Sequence, residues 1–243
     1  MNPSKKMPKA FIFDCGDTLF NVLNFNFEAI YKYFYNNIID NSKVTYDEYV
    51  KFSESIMHVF SERDLNNIEI LFSNYFNFIT FAFGNKSDKD LNTIELEFAH
   101  TLYQSKPVKD VFLFLDFLKS KNIPMYVLSN SLLSTNEIKL ELKENGLDEY
   151  FIDIISSGDH LFRKPSKELF LMYLKRLQMD GIDGDVCYIG NSYKYDIVTP
   201  VELKMYSILL NEKLECEYIN HGDYLEVNGY KTLISILREV SNG

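Results

Sequence analysis

Asp14 is the carboxylate that the first part of the chain delivers most rigidly. It closes the apolar run Phe11-Ile12-Phe13 and is followed by Cys15-Gly16-Asp17-Thr18-Leu19. An apolar run ending in a carboxylate and a glycine turn reads as a buried strand handing a side chain to a site at its C-terminal end. Other polar groups stand at comparable places. Ser129 and Asn130 follow Val127-Leu128, Lys164 precedes Pro165 at a helix opening, and Asn191 follows Ile189-Gly190 with Asp196 just beyond. A carboxylate, a hydroxyl, an ammonium and a carboxamide gathered at one sheet edge suit chemistry at an anionic centre. The carboxylate can attack or ligate, and the ammonium supplies a point charge.

These groups meet only if the elements around them form one parallel sheet. Lys9–Phe13, Ile123–Ser129, Tyr150–Ser156, Val186–Ile189 and Tyr206–Leu210 read as short apolar strands. Between the later ones lie helical stretches: Val108–Ser120, Thr135–Asn145 with Gly146 at its C-cap, Pro165–Met179, and a weak one over Tyr193–Leu203. Tyr230–Val240 closes the chain as a helix. Strands alternating with helices predict a parallel sheet covered on both faces, with ligands at the strand ends. Asp14, Ser129, Lys164 and Asn191 are therefore expected to converge.

The stretch from about Leu23 to Ser105 differs. Apolar and aromatic residues recur there at helical intervals over Phe25–Ile39, Tyr46–Phe60, Ile68–Phe83 and Leu91–Tyr103, with a capping box at Thr45 and Glu48 and no strand signal. The expected organisation is a core of residues 1–22 and 106–243 and a helical insertion of residues 23–105, placed beside the strand ends as a lid.

The 243 residues carry a formal net charge of -10, which argues against nonspecific affinity for nucleic acid or anionic membrane. Attraction for an anionic substrate must then be local: a metal, a lysine or backbone amides. Cys15, Cys187 and Cys216 are odd in number and show no CxxC spacing, the pattern of free thiols in a reducing compartment. No signal segment or membrane span is legible, and a cytoplasmic location is expected, as a monomer or homodimer.

Four motifs carry a family likeness: Phe13–Leu19, Val127-Leu128-Ser129-Asn130, Arg163-Lys164-Pro165, and Ile189-Gly190-Asn191-Ser192-Tyr193-Lys194-Tyr195-Asp196. In this order they resemble the haloacid dehalogenase-like hydrolase superfamily, in its branch with a helical cap after the first strand. The resemblance implies an α/β fold, a Rossmann-like doubly wound parallel sheet with an inserted all-helical cap. It implies Asp14 as nucleophile, with Lys164 and Ser129 beside it in catalysis. Cys15, Gly16, Asn130 and Lys164 would bind the phosphoryl group of a small phosphorylated metabolite. Asp14, the Gly16 carbonyl, Asn191 and Asp196 would hold Mg2+. The expected intermediate is an aspartyl-phosphate.

Two positions depart from that pattern. Family phosphatases usually carry, two residues past the nucleophile, an aspartate that protonates the leaving group. Here Gly16 stands there, and Asp17 is offset by one. Asn191 replaces a common metal-binding aspartate. Other readings stay open: a catalytically weakened binding or regulatory protein, a metal-independent 2-haloacid dehalogenase, and a phosphonate-cleaving relative. The dehalogenases need an early cap arginine, and none occurs between Asp14 and Arg63. Arg63 is itself a candidate substrate anchor, with a surface salt bridge as the plainer reading. His58, His100, His160 and His221 show no ligand spacing.

Overall fold

A computed structural model describes residues 6–242. The first strand, β1 (Ala10–Phe13), is buried throughout, and a turn leads into β2 (Phe20–Leu23). Five helices follow: α1 (Phe27–Asn37), α2 (Tyr46–Ile56), α3 (His58–Asn66), α4 (Phe72–Phe83) and α5 (Leu91–Leu102). β3 (Gln104–Pro107) then returns antiparallel to β2, with Leu23 opposite Gln104 and Phe20 opposite Pro107. The rest alternates: α6 (Val111–Ser120), β4 (Met125–Ser129), α7 (Thr135–Glu144), β5 (Asp153–Ser156), α8 (Lys167–Met179), β6 (Val186–Gly190), α9 (Val198–Glu202), β7 (Tyr206–Leu210). A small hairpin, β8 (Tyr218–Asn220) and β9 (Leu225–Val227), precedes α10 (Tyr230–Asn242).

The main sheet has the order β5-β4-β1-β6-β7-β9-β8, parallel except for the edge strand β8. It is the expected doubly wound sheet, and the alternation in β1 shows why. Phe11 and Phe13 point to one face, where both meet Phe114 of α6 edge-on at about 6 Å between ring centres. Ala10 and Ile12 point to the other, packed with Leu169, Phe170 and Tyr173 of α8. A strand buried on both faces needs apolar residues at every position. The helical block has its own aromatic core, with Phe34 against Phe72, Tyr75 and Phe98.

Several elements differ from the periodicity. The stretch expected as one helix over Tyr46–Phe60 is two helices with a break at Met57, the second ending at Asn67 in the left-handed region (φ 53°). The helix expected from Ile68 begins only at Phe72. The intervening residues instead pair with the core: Arg163 donates its amide to the Asn67 carbonyl (2.9 Å), and Glu69 to that of Leu161 (3.1 Å). Pro165 lies before α8 rather than in its first turn; Ser166 caps the helix. The β2–β3 ribbon has no apolar alternation to announce it, because Gln104-Ser105-Lys106 is a polar run.

A polar seam lies where α5 meets α7. Glu95, Glu137 and Glu141 are all buried there. Glu95 accepts from the amide and hydroxyl of Ser134 (2.8 and 2.7 Å), and Glu141 from the Tyr103 hydroxyl (2.7 Å). Burial first, then the charges of Glu141, Glu95 and Glu144, push the Glu137 carboxyl up from 4.5 to about 8. The folded chain thus keeps a proton between those values that the unfolded chain releases. This contribution to stability is full below about pH 4.5 and is lost as pH rises through about 8. Thermal unfolding is expected to show a midpoint falling from pH 5 to pH 8, on the order of 2 kcal/mol, and Glu137→Gln is expected to flatten that fall. A slope unchanged in the variant would refute the assignment.

Candidate active site

Asp14 stands one residue past β1, its amide donating to the Ile189 carbonyl of neighbouring β6 (2.9 Å). The central strand therefore fixes its main chain. Its side chain is 11% exposed. Oδ1 is 2.6 Å from the Lys164 ammonium, and Oδ2 accepts from the Thr18 hydroxyl (3.2 Å). Thr18 is held in turn, its carbonyl accepting from the Tyr230 hydroxyl (2.7 Å). Among the described residues no protein acceptor takes the amides of Cys15 or Gly16. Two main-chain donors thus stand next to the Asp14 carboxylate, the arrangement that binds an anion.

Lys164 is 1% exposed, and its three N–H donors are matched by three acceptors: Asp14 (2.6 Å), Asp196 (2.6 Å) and the Tyr188 hydroxyl (2.8 Å). Burial pulls against the charge, but the two carboxylates outweigh it, and the ammonium is held above its ordinary value. Asn130 brackets the lysine main chain: its Oδ1 accepts from the Lys164 amide (2.7 Å) and its Nδ2 donates to the Lys164 carbonyl (2.9 Å). The side chain expected on the phosphoryl group therefore positions the lysine. Tyr188 has no signal in the sequence beyond its place in an apolar strand. Its hydroxyl is pinned by donation to the Leu128 carbonyl (3.1 Å).

Asp196 lies on a π-helical turn, Tyr193–Ile197, and is 1% exposed. Its Oδ2 accepts from the Ser192 amide (2.9 Å). A side chain at Gly190 would collide with this carboxylate, so the glycine is what lets Asp196 reach Lys164. Burial pushes Asp196 up, Lys164 draws it down, and Asp14 pushes it up again, leaving it at about 6.

The remaining candidates divide. Ser129 ends β4 buried, with its hydroxyl against the Cys15 thiol. Cys15 packs in the core, and burial with the charge of Asp14 pushes its thiol far up, so it stays protonated. Asn191 is exposed just past β6. Asp17 turns away: it is exposed, sits in the left-handed region (φ 54°), and accepts from the Val22 amide (3.2 Å). It shapes the turn into β2 and does not face Asp14's partners.

A second seam joins the helical block to the loops that carry Lys164 and Asp196. Glu69, its side chain fully buried, pairs with Arg63 (2.9 Å), lies 3.6 Å from Arg163, and accepts from the Ser157 hydroxyl (2.6 Å). Asp64 pairs with Arg163 (2.6 Å) and accepts from the Tyr195 hydroxyl (2.8 Å). Arg63 is thus a partly buried interior pair, not a surface salt bridge. Removing one member of a buried ion cluster strands the others. Glu69→Leu is expected to cost about 3 kcal/mol, roughly 6–12 °C in the thermal midpoint. Breaking the exposed Lys32–Glu28 pair by Lys32→Ala should leave the thermal midpoint nearly unchanged, because solvent screens an exposed pair. Equal effects in calorimetry would refute the seam's importance.

The donor set suits magnesium. That ion takes oxygen ligands, often one or two carboxylates with several waters, and the oxygens of Asp14, Asp196, Asn191 and the Gly16 carbonyl are of that kind. Among the described residues no group of three or more His, Cys, Asp or Glu side chains is arranged to hold a metal. An ion here would lean on neutral oxygens and water.

Comparison with known proteins agrees with this fold. The chain is similar to a crystal structure of a HAD phosphatase from Thermococcus onnurineus: 19% identity, TM-score 0.61, covering 94% of this chain and 97% of that one. It is equally similar in fold to a 2-haloacid dehalogenase from Pseudomonas syringae pv. Tomato DC3000, with 17% identity, TM-score 0.61, and 96% and 99% covered. A Bacillus subtilis HAD-hydrolase bound to magnesium matches at 20% identity and TM-score 0.54, covering 96% and 99%. No curated protein sequence matches. The profile of the haloacid dehalogenase-like hydrolases matches residues 8–199. That span runs from the first strand through the turn carrying Asp196, and the chain belongs to the haloacid dehalogenase-like hydrolase family.

Proposed function

We propose that this hydrolase is a magnesium-dependent phosphatase of a small phosphorylated metabolite. It works in the cytoplasm, as a monomer or homodimer, with the helical block α1–α5 as a cap. The observation that carries the reading is the charge balance around Asp14: two buried carboxylates, Asp14 and Asp196, share one ammonium at 2.6 Å each. A doubly negative phosphate entering such a site needs one more cation. Magnesium, when bound, would supply that charge.

The protein's own groups account for the rest. Asp14 forms a bond to phosphorus as the ester P–O bond breaks, and the electron pair leaves on the alcohol oxygen. Lys164 orients the attacking carboxylate, and the amides of Cys15 and Gly16 receive phosphoryl oxygens. Water then attacks the aspartyl-phosphate, restoring Asp14 and releasing phosphate. The dehalogenase reading fits less well. An anionic haloacid without metal needs a free cation, yet Arg63 is paired with Glu69, and Arg163 with Asp64.

The test is a panel of phosphomonoesters assayed with and without magnesium, beside 2-haloacids without metal. Phosphate release that requires magnesium is expected. Halide release from a haloacid would favour the dehalogenase, and tight ligand binding without turnover would favour a binding protein. With few carboxylates in reach, magnesium affinity by isothermal titration is expected to be weaker than low-micromolar; tighter binding would contradict the proposed ligand set.

A further inference from the structure

A cavity of about 130 Å³ lies in the helical block against the loop that leaves β4. Its wall draws on several elements: Ile30 and Tyr31 of α1, Phe60 of α3, Tyr75 of α4, Phe98 of α5, and Leu132 of the loop. The Leu132 carbonyl accepts from the Phe72 amide of α4 (2.9 Å), which fixes the loop against the block at the cavity. Phe25 and Phe27, 54% and 50% exposed, stand at its edge. None of Asp14, Ser129, Lys164 and Asp196 borders this space. It is separate from the charged centre.

Size and lining define what fits. An apolar cavity of about 150 Å³ stays dry and binds benzene, so this one has room for a single ring with a small substituent. Ring edges and faces in the wall suit an aromatic guest. The charged residue of the lining is Arg63. Its Nη1 donates to Glu69 (2.9 Å), but its Nε is buried and finds no acceptor among the described residues. A buried donor without a partner carries its full desolvation cost, so a guest that brings an oxygen relieves it. The charge itself is already met: Glu69 faces Arg63, and Asp64 pairs with Arg163 (2.6 Å). A carboxylate would be desolvated with no unpaired cation to receive it. The acceptor that suits this wall is neutral.

We infer that the cavity is a second ligand site, one that takes a small neutral aromatic molecule with a single hydrogen-bond acceptor. The ring lies among Ile30, Phe60, Tyr75 and Leu132, and the acceptor oxygen meets Arg63 Nε. The ligand is bound and not transformed. It touches the helical block and the core loop at once, so occupancy stabilises the contact between them. The site does not depend on the phosphatase reading.

The test is calorimetric titration of the full chain with benzyl alcohol, toluene and benzoate, with the thermal midpoint followed in parallel. Benzyl alcohol and toluene are each expected to bind at one molecule per chain and to raise the midpoint as their concentration rises. Ile30→Phe and Leu132→Phe fill the cavity from opposite walls, and each folded variant should lose both ligands. Arg63→Lys keeps a charge for Glu69 but has no Nε. It is expected to weaken benzyl alcohol about 10-fold, the worth of a hydrogen bond to a charged group, and to leave toluene within about 2-fold. Benzoate is expected not to bind. Failure of both neutral ligands, or binding unchanged in both folded filled variants, overturns the site. Equal effects of Arg63→Lys on benzyl alcohol and toluene overturn the role of Nε, and benzoate binding more tightly than benzyl alcohol overturns the neutral class.

Discussion

Asp14→Asn is expected to abolish phosphate release, by at least about 10⁴-fold in kcat, because covalent catalysis ends when its nucleophile is lost. The substitution is chosen for its shape. An asparagine keeps the volume of a side chain that is 11% exposed and retains one oxygen for Lys164 or Thr18. Lys164 keeps Asp196 and Tyr188 as partners (2.6 and 2.8 Å). The loss should therefore fall on turnover, with unfolding shifted by no more than about 1–3 kcal/mol, the worth of a disturbed buried hydrogen bond. Mass spectrometry of quenched wild type should find a phosphoryl adduct on the peptide containing Asp14, absent from the variant. Turnover unchanged by the substitution would sink the mechanism.

Gly16→Asp is expected to do the opposite. A Cβ at position 16 would meet only Val22 Cγ2, at an ordinary contact distance of 3.7 Å, and the backbone there lies outside the left-handed region. The turn therefore accepts a side chain at this position without backbone strain. A positioned acid contributes about 10²–10⁴-fold where the leaving group needs protonation. Propyl and benzyl phosphate should gain about 10²-fold in kcat, while phenyl phosphate gains less than about 10-fold. Gly16→Asn fits the same space but carries no proton to transfer, and separates acid catalysis from simple filling. A folded aspartate variant that leaves the ratio of alkyl to aryl rates unchanged would refute the claim that the missing acid limits this enzyme.

Both predictions place the weight on one turn, yet that turn is held from elsewhere. Arg163 and Lys164 are neighbours in sequence that face different elements. Arg163 pairs with Asp64 and lies against Glu69 of the helical block, while Lys164 reaches Asp14 and Asp196. Tyr195, which donates to Asp64, sits beside Asp196. The block that makes the cavity thus grips the two loops that build the charged centre.

The sheet and the helical insertion could be read from the sequence for a physical reason. Burial leaves a period: continuous apolar runs for strands covered on both faces, and a spacing of three to four residues for helices. The strand ends then named Asp14, Ser129, Asn191 and, through the following loop, Lys164. Partners of distant residues leave no such period. The ribbon of β2 and β3 joins positions some 80 residues apart, and nothing local in Gln104–Pro107 announces it. The late start of α4 has the same origin, since residues 67–69 pair with 161–163 instead of beginning a helix. Tyr188 reads as one more apolar strand residue until the fold sets its hydroxyl 2.8 Å from Lys164. Asn130 was legible as a site residue, but only the tertiary structure shows it bracketing the lysine main chain. The sequence by itself determined the sheet, the insertion and the presence of a carboxylate at the end of the first strand with a glycine two residues beyond it. The tertiary structure alone decided where Asp17 points, how Arg63 is neutralised and what volume the cap leaves, because each depends on contacts between segments that fold together from far apart in the chain.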